Sequence, residues 1–255
     1  QEKNFVYIDG ESLLDVQSVE SNISTNRIPL NIAGFGAGPQ EAEGVSEGSL
    51  NIERYVITTA DHDPFASPPI YEDGFEGLWV HQDSTGHNNY FAMKTGYIND
   101  YAFNAAVNSV PTMSVGVVAY GSGIGELDPA PEIPTPPDPD DFLDSYVYPR
   151  GIELTFNDPN ALSGIVTTNR VQSFDLSFNM NREVKNRLGG MKKIPETFIS
   201  FPFQATLSIA IDVDEYSISG IETLICQDPE TIQLDLKRCD NTIIRSFIFT
   251  DGVLQ

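Results

Sequence analysis

Basic residues are scarce in this chain of 255: 14 Lys and Arg stand against 37 Asp and Glu, a formal net charge of −23. So acidic a surface is poorly suited to neutralise phosphates, which argues against tight nucleic-acid binding. It repels DNA, which differs from being irrelevant to DNA. Only two cysteines occur, Cys226 and Cys239, too few for a disulfide scaffold; they are expected to be reduced, buried thiols, with a pair across facing strands as the alternative. Three His leave little for a metal site. No apolar run approaches the length of a membrane-spanning helix, and residues 1–10 lack the pattern of a signal peptide. Long helix-forming runs are few as well.

What is present speaks for an all-β protein with real cores: 40% apolar residues, 15 Phe, 10 Tyr, 20 Gly and 17 Pro. The clearest pattern is the stretch 171–182, Val-Gln-Ser-Phe-Asp-Leu-Ser-Phe-Asn-Met-Asn-Arg. Phe174, Leu176, Phe178 and Met180 alternate with Ser173, Asp175, Ser177 and Asn179, the period of a strand dry on one face and wet on the other.

The stretch recurs. Residues 16–27 read Val-Gln-Ser-Val-Glu-Ser-Asn-Ile-Ser-Thr-Asn-Arg, shifted by 155. A weaker copy begins at Ile98, shifted by 82, and residues 251–255 hint at a fourth that breaks off. The pattern is that of a duplicated half, each half carrying two copies of one hairpin. Both ends of the chain are therefore expected to be incomplete, or the start to be processed.

Residues 126–141 hold six prolines among acids and no base, the composition of an extended, semi-rigid linker. This divides the chain into a first β domain (1–125), an acidic Pro-rich linker (126–149) and a second β domain (150–255). Their charge balances are −12, −7 and −4.

Within the first domain the alternation predicts a strand over 16–24, a turn at Asn26, Arg27 and Pro29, and a return over 30–35. Residues 34–48 read as a loop reaching over a neighbouring subunit, and 49–58 as a strand. A hairpin is predicted around Asp83-Ser84-Thr85-Gly86, then strands over 97–107 and 112–120. In the second domain strands are predicted over 151–156, 171–180, 200–216, 231–237 and 242–249, with one short helix over 218–227.

Superposing the copies gives three polar columns: Ser18, Asp100 and Ser173; Glu20, Ala102 and Asp175; Asn22, Asn104 and Ser177. Asn179 follows on the same face. The opposite face holds Val19, Ile23, Tyr101, Phe103, Phe174, Leu176 and Phe178, the expected core. The plain reading of the polar face is ordinary solvent exposure. Its lack of Lys and of bulky side chains instead favours the lining of a channel, because ordinary exposed strands mix long charges of both signs.

Repeated hairpins with a small, polar outer face and long arm-like loops resemble the tail tube proteins of tailed bacteriophages. The resemblance runs over 16–36, 98–120 and 171–189, and it is one of pattern. It implies two tandem tail-tube-like β-sandwich domains, with few short helices and long hairpins that contribute to an oligomeric β-barrel. Ser18, Glu20, Asn22, Asp100, Asn104, Asp175, Ser177 and Asn179 would line its lumen.

The implied function is that of a structural virion protein without enzymatic activity or cofactor. Its partners would be itself, as trimeric or hexameric stacked rings, and other tail proteins such as tape measure, terminator and baseplate proteins. Genomic DNA would pass without tight binding, and no membrane would be involved. The implied place is the virion tail, assembled in the bacterial host cytoplasm. The duplication and acidic linker depart from the commonest pattern of that family and leave a baseplate hub, distal tail or adaptor ring as an alternative. A reading of another class is a secreted carbohydrate-binding β-sandwich with Trp79, Tyr90 and Tyr97 as stacking residues.

Other constellations carry less. Asp61-His62-Asp63 lies in a Pro-rich stretch without a second ligand pair, and His81, Asp83 and His87 surround a predicted turn. Gly121-Ser122-Gly123-Ile124-Gly125 lacks the following helix that a phosphate loop needs, and reads as a flexible connection.

Overall fold

The computed structural model describes residues 3–13, 15–29, 41–56, 65, 74–121, 124–125, 132–133, 151–157, 165–180, 182–185, 196–199, 204–212, 231–237 and 241–250. Among them the regular structure is all strand. In the first half these are β1 (Lys3–Ile8), β2 (Glu11–Leu13), β3 (Val16–Pro29), β4 (Glu41–Tyr55), β5 (Phe75–Gln82), β6 (Asn88–Ala106), β7 (Thr112–Tyr120) and β8 (Ile124–Gly125). The second half adds β9 (Gly151–Asn157), β10 (Ile165–Thr168), β11 (Val171–Asn179), β12 (Arg182–Lys185), β13 (Glu196–Ile199), β14 (Gln204–Ile211), β15 (Thr231–Lys237) and β16 (Ile243–Thr250).

The organising element is β6. Its 19 residues extend roughly 60 Å at strand rise. Both β5 and β7 pair with Gly96, so they lie on opposite edges of β6; β7 and β11 both pair with the stretch around residues 100–104, so they too lie on opposite edges. β6 therefore serves two sheet regions in turn. Its first half joins β2-β1-β5, and its second half joins β7-β4-β3 on one edge and β11-β14 on the other. The result is a 10-stranded antiparallel sheet in which strands from both halves of the chain are continuous.

The changeover is marked by an irregularity at Asn99. Ile98 opposes Val117 and Asp100 opposes Gly116, so one extra residue enters β6. Such a bulge switches which parity faces inward. Ile98 is buried before it, and Tyr101, Phe103 and Ala105 are buried after it. The bulge is held from the end of β11: Met180 N donates to Asn99 O (2.8 Å) and Arg182 Nε donates to Ile98 O (2.6 Å).

A second, four-stranded antiparallel sheet runs β10-β9-β15-β16. Ile152, Leu154, Leu234, Leu236 and Phe247 from this sheet share one core with Phe103, Phe174 and Leu176 of the large sheet. At its centre Phe247 meets Phe103 edge-on (4.7 Å between centroids) and Phe174 (5.7 Å), while Phe103 and Phe174 stack at 5.6 Å. Such contacts add to the burial of each ring. β12 and β13 form a separate two-stranded ribbon.

Four expectations are corrected. The turn placed at Asn26, Arg27 and Pro29 is strand: β3 continues, with Arg27 opposite Glu43 and Pro29 opposite Glu41. Pro29 is tolerated because it ends an edge strand, where no ladder donor is needed. For the same reason residues 41–48 are not loop but the first half of β4. Ile23 has the parity of the core yet is 48% exposed. β7 ends at Tyr120, opposite Glu47, and the two-residue β8 is what reaches Ile23 from that side.

The flexible connection expected at Gly121–Gly125 includes paired strand, with Ile124 opposite Met93 and Gly125 opposite Ala92. The expected return at 30–35, the helix at 218–227, Asp61-His62-Asp63, Cys226, Cys239 and the broken fourth copy at 251–255 lie outside the described residues.

Candidate functional site

Alternation in six adjacent strands builds one polar face. In the order β14-β11-β6-β7-β4-β3, residues directly opposite each other share a face. One transverse row is Asn179, Asp100, Gly116, Asn51 and Glu20. The next is Thr206, Ser177, Ala102, Ser114, Glu53 and Ser18. A third holds Ser208, Asp175, Asn104, Thr112 and Tyr55.

All eight residues proposed from sequence lie on this face and all are exposed: Ser18, Glu20, Asn22, Asp100, Asn104, Asp175, Ser177 and Asn179. The structure brings the third copy and the stretch at 171–179 into direct register, since Asp175 opposes Asn104 and Asn179 opposes Asp100. The first copy lies beyond β7 and β4. The face's other contributors were not named from sequence: Ser114, Gly116, Asn51, Glu53, Thr206 and Ser208. Their signal was available, because each alternates with a core residue (Val115, Ile52, Leu207) in the partner strand of a recurring hairpin.

The electrostatics are one-sided. From Ser18 to Ser24 on β3, and at the same-face positions of the other five strands, no Lys or Arg occurs, while Glu20, Glu47, Glu53, Asp100 and Asp175 do. Short polar neighbours separate the carboxylates: Ser18 Oγ donates to Glu53 (3.1 Å) and Asn99 Nδ2 donates to Asp100 (2.8 Å). Gly116 leaves the centre of the face uncrowded. A Cβ there would stand 3.2 Å from Asp100 Cβ and 3.4 Å from Asn51 Oδ1, tighter than ordinary contact. Around Ala102 the face forms a concavity of about 420 Å³, walled by Asp100, Ser114, Ser177, Asn179 and Thr206.

Arg182 stands at a rim of the face. It is buried, with its guanidinium 5.1 Å from the Tyr97 ring. Burial draws its pKa down, with Tyr97 and Tyr120 opposing that shift. Burial also pushes the Tyr120 hydroxyl up, helped by Glu47 and countered by Arg182. The group therefore acts as a structural clamp on the β6 bulge and not as a charge offered to solvent.

The other candidates separate. Trp79 Nε1 donates to Asn4 Oδ1 (3.3 Å), and His81 Nδ1 lies 3.0 Å from the same oxygen. Trp79 and Tyr90 occupy opposite faces of the β5–β6 pair, since Val80 opposes Tyr90. Tyr97 lies under Arg182, so the three rings form no common platform. Asp83 closes its turn by accepting from Thr85 Oγ1, Thr85 N and His87 N. No cluster of three His, Cys, Asp or Glu gathers among the described residues.

Compared with known proteins, the chain matches no family model and no curated sequence.

Proposed function

We propose that this chain is a structural subunit whose six-stranded polar face forms part of the inner wall of a ring built from copies of itself. Stacked rings would make a conduit for DNA, in the manner of phage tail tubes. In this reading 1–125 and 150–255 are tube-like β domains that share the ten-stranded sheet and one core and are joined by the linker 126–149. The role is structural, in the virion tail, with neighbouring tail proteins as further partners.

The single observation that carries the reading is the face itself. It is continuous across β14-β11-β6-β7-β4-β3, concave at Ala102, rich in carboxylates and free of Lys and Arg. A wall that must let a polyanion pass needs small side chains and the same sign of charge. An outer strand supports it further. Among the described residues nothing pairs the free edge of β14. An open edge is a template for another strand.

The test is electron microscopy of the expressed chain, followed by the double variant Glu20→Lys, Asp175→Lys. Rings or tubes are expected from both proteins, with DNA retained by the double variant and not by the wild type. Each new Lys that meets a phosphate adds about 0.9 to the salt slope of DNA affinity. Solitary particles, or a double variant that ignores DNA, would sink the lumen assignment. Single closed rings without stacking would move the reading to a hub or adaptor ring.

A further inference from the structure

We propose that the outer face of the β1–β5–β6 sheet is a docking strip for a proline-rich segment, and that its occupant is this chain's own linker, seated through Ile133. This is independent of the conduit reading. The strip consists of two rows: Phe5, Val80 and Tyr90, then Tyr7, Leu78 and Ala92. The same strands turn Val6, Ile8, Phe91 and Met93 the other way, into the main core. A sheet region apolar on both faces must be covered on both. Tyr7 and Val80 are each 1% exposed, as dry as the core proper. Burial also raises the pKa of the Tyr7 hydroxyl.

Ile133 packs against this cluster. Its sequence surroundings are Pro129-Ala130-Pro131-Glu132-Ile133-Pro134-Thr135-Pro136-Pro137. Such a sequence favours the polyproline geometry, which is pre-extended and loses little entropy on docking. Aromatic-lined surfaces are what such segments recognise, and Phe5, Tyr7 and Tyr90 supply the rings. Charge fits as well. The two rows contain no acid, exposed Lys3 follows Phe5 on the same face, and Glu132 stays exposed beside Ile133. The acidic segment most unlike a folded element thereby gains an anchor, and the strip is kept from self-association.

The experiment uses the full-length chain and Tyr90→Ser, a substitution at a partly exposed position. Cleavage of the Glu132–Ile133 bond by a glutamate-specific protease is followed by mass spectrometry. It is expected to be at least about tenfold faster in Tyr90→Ser, because the bond must lift from the strip to be cut. The reciprocal variant is Ile133→Asp, probed with a labelled synthetic peptide of residues 126–141. That variant should bind the peptide about tenfold more tightly than the wild type, whose strip is occupied. Addition of Tyr90→Ser should abolish the gain. Equal cleavage rates in wild type and Tyr90→Ser overturn the proposal, even if Ile133→Asp fails to fold. Equal peptide affinities for folded Ile133→Asp and wild type also overturn it.

Discussion

Phe174 and Asp175 are neighbours in one strand, and substituting each by alanine should have opposite consequences. Phe174 is 0% exposed and touches both Phe103 and Phe247, so its ring joins the two sheets. Removing it forfeits the transfer term and leaves a cavity that two rigid rings cannot fill. Phe→Ala at such sites costs about 3–5 kcal/mol. For a chain of this size each kcal/mol lowers the melting temperature by about 2–4 °C, so a fall of roughly 10 °C is expected. Asp175 is exposed on the polar face, and truncations there cost within about 0.5 kcal/mol. Urea unfolding followed by circular dichroism and Trp79 fluorescence measures both. An Asp175→Ala loss as large as that of Phe174→Ala would refute the two-face assignment of β11. A Phe174→Ala loss below about 1 kcal/mol would refute the shared core.

Two further outcomes follow from local geometry. Gly116→Val should destabilise by about 1–3 kcal/mol and Gly116→Ala by clearly less, since a Cβ already meets Asp100 at 3.2 Å and two further methyls add volume beside it; equal unfolding midpoints for the two would show that the face yields there. The hydrogen bond from Thr85 Oγ1, with those from the His87 and Thr85 backbone, holds the Asp83 carboxyl below the usual range. A depressed folded pKa contributes stability above the unfolded value of about 3.9, and the contribution is lost as pH falls through the lower folded value. In an NMR titration Asp83 should therefore protonate below that reference, and Thr85→Ala should raise its midpoint; a midpoint at or above the reference in the wild type contradicts the turn.

Local alternation was legible wherever one face is dry and the other wet. The stretch 171–179 could be assigned residue by residue, and so could the hairpin of β6 and β7. The failures have physical causes. Strand order depends on pairing between distant segments, so nothing local announced that β11 would continue the sheet at β6. Asn99 is a bulge fixed by Met180 and Arg182, more than 80 residues away, and it inverts the parity that alternation assumes. Arg54 stands where β4's alternation wants an apolar residue after Leu50 and Ile52. It is buried there, 5.9 Å from the Phe65 ring, with Nη2 near Met113 Sδ. Ile23 is exposed despite its parity, because parity names a face but not whether anything covers it.

The polar face also sets how many strands its proposed use requires. At its centre the large side chains, Tyr101, Phe103, Met113, Phe174 and Phe178, lie on the opposite side, while Ala102, Ser114, Gly116 and Ser177 lie on the face itself; Tyr55 and Tyr97 stand on it nearer its ends. A sheet so loaded accommodates curvature toward its small residues, as the concavity at Ala102 does. Six strands at about 4.8 Å span roughly 29 Å of wall. A barrel of about eight strands is still filled by its own side chains, and an open aqueous channel needs about 16 or more. One copy of this face is thus too narrow to enclose a nucleic acid. The edge that would have to meet the next strand, β14, reads Gln-Ala-Thr-Leu-Ser-Ile-Ala-Ile, without charge or proline. Edge strands that must stay single carry Lys, Pro or a bulge to prevent pairing. β14 carries none of these, so its sequence favours completion by a further strand, and three copies of the face would reach the channel-forming range.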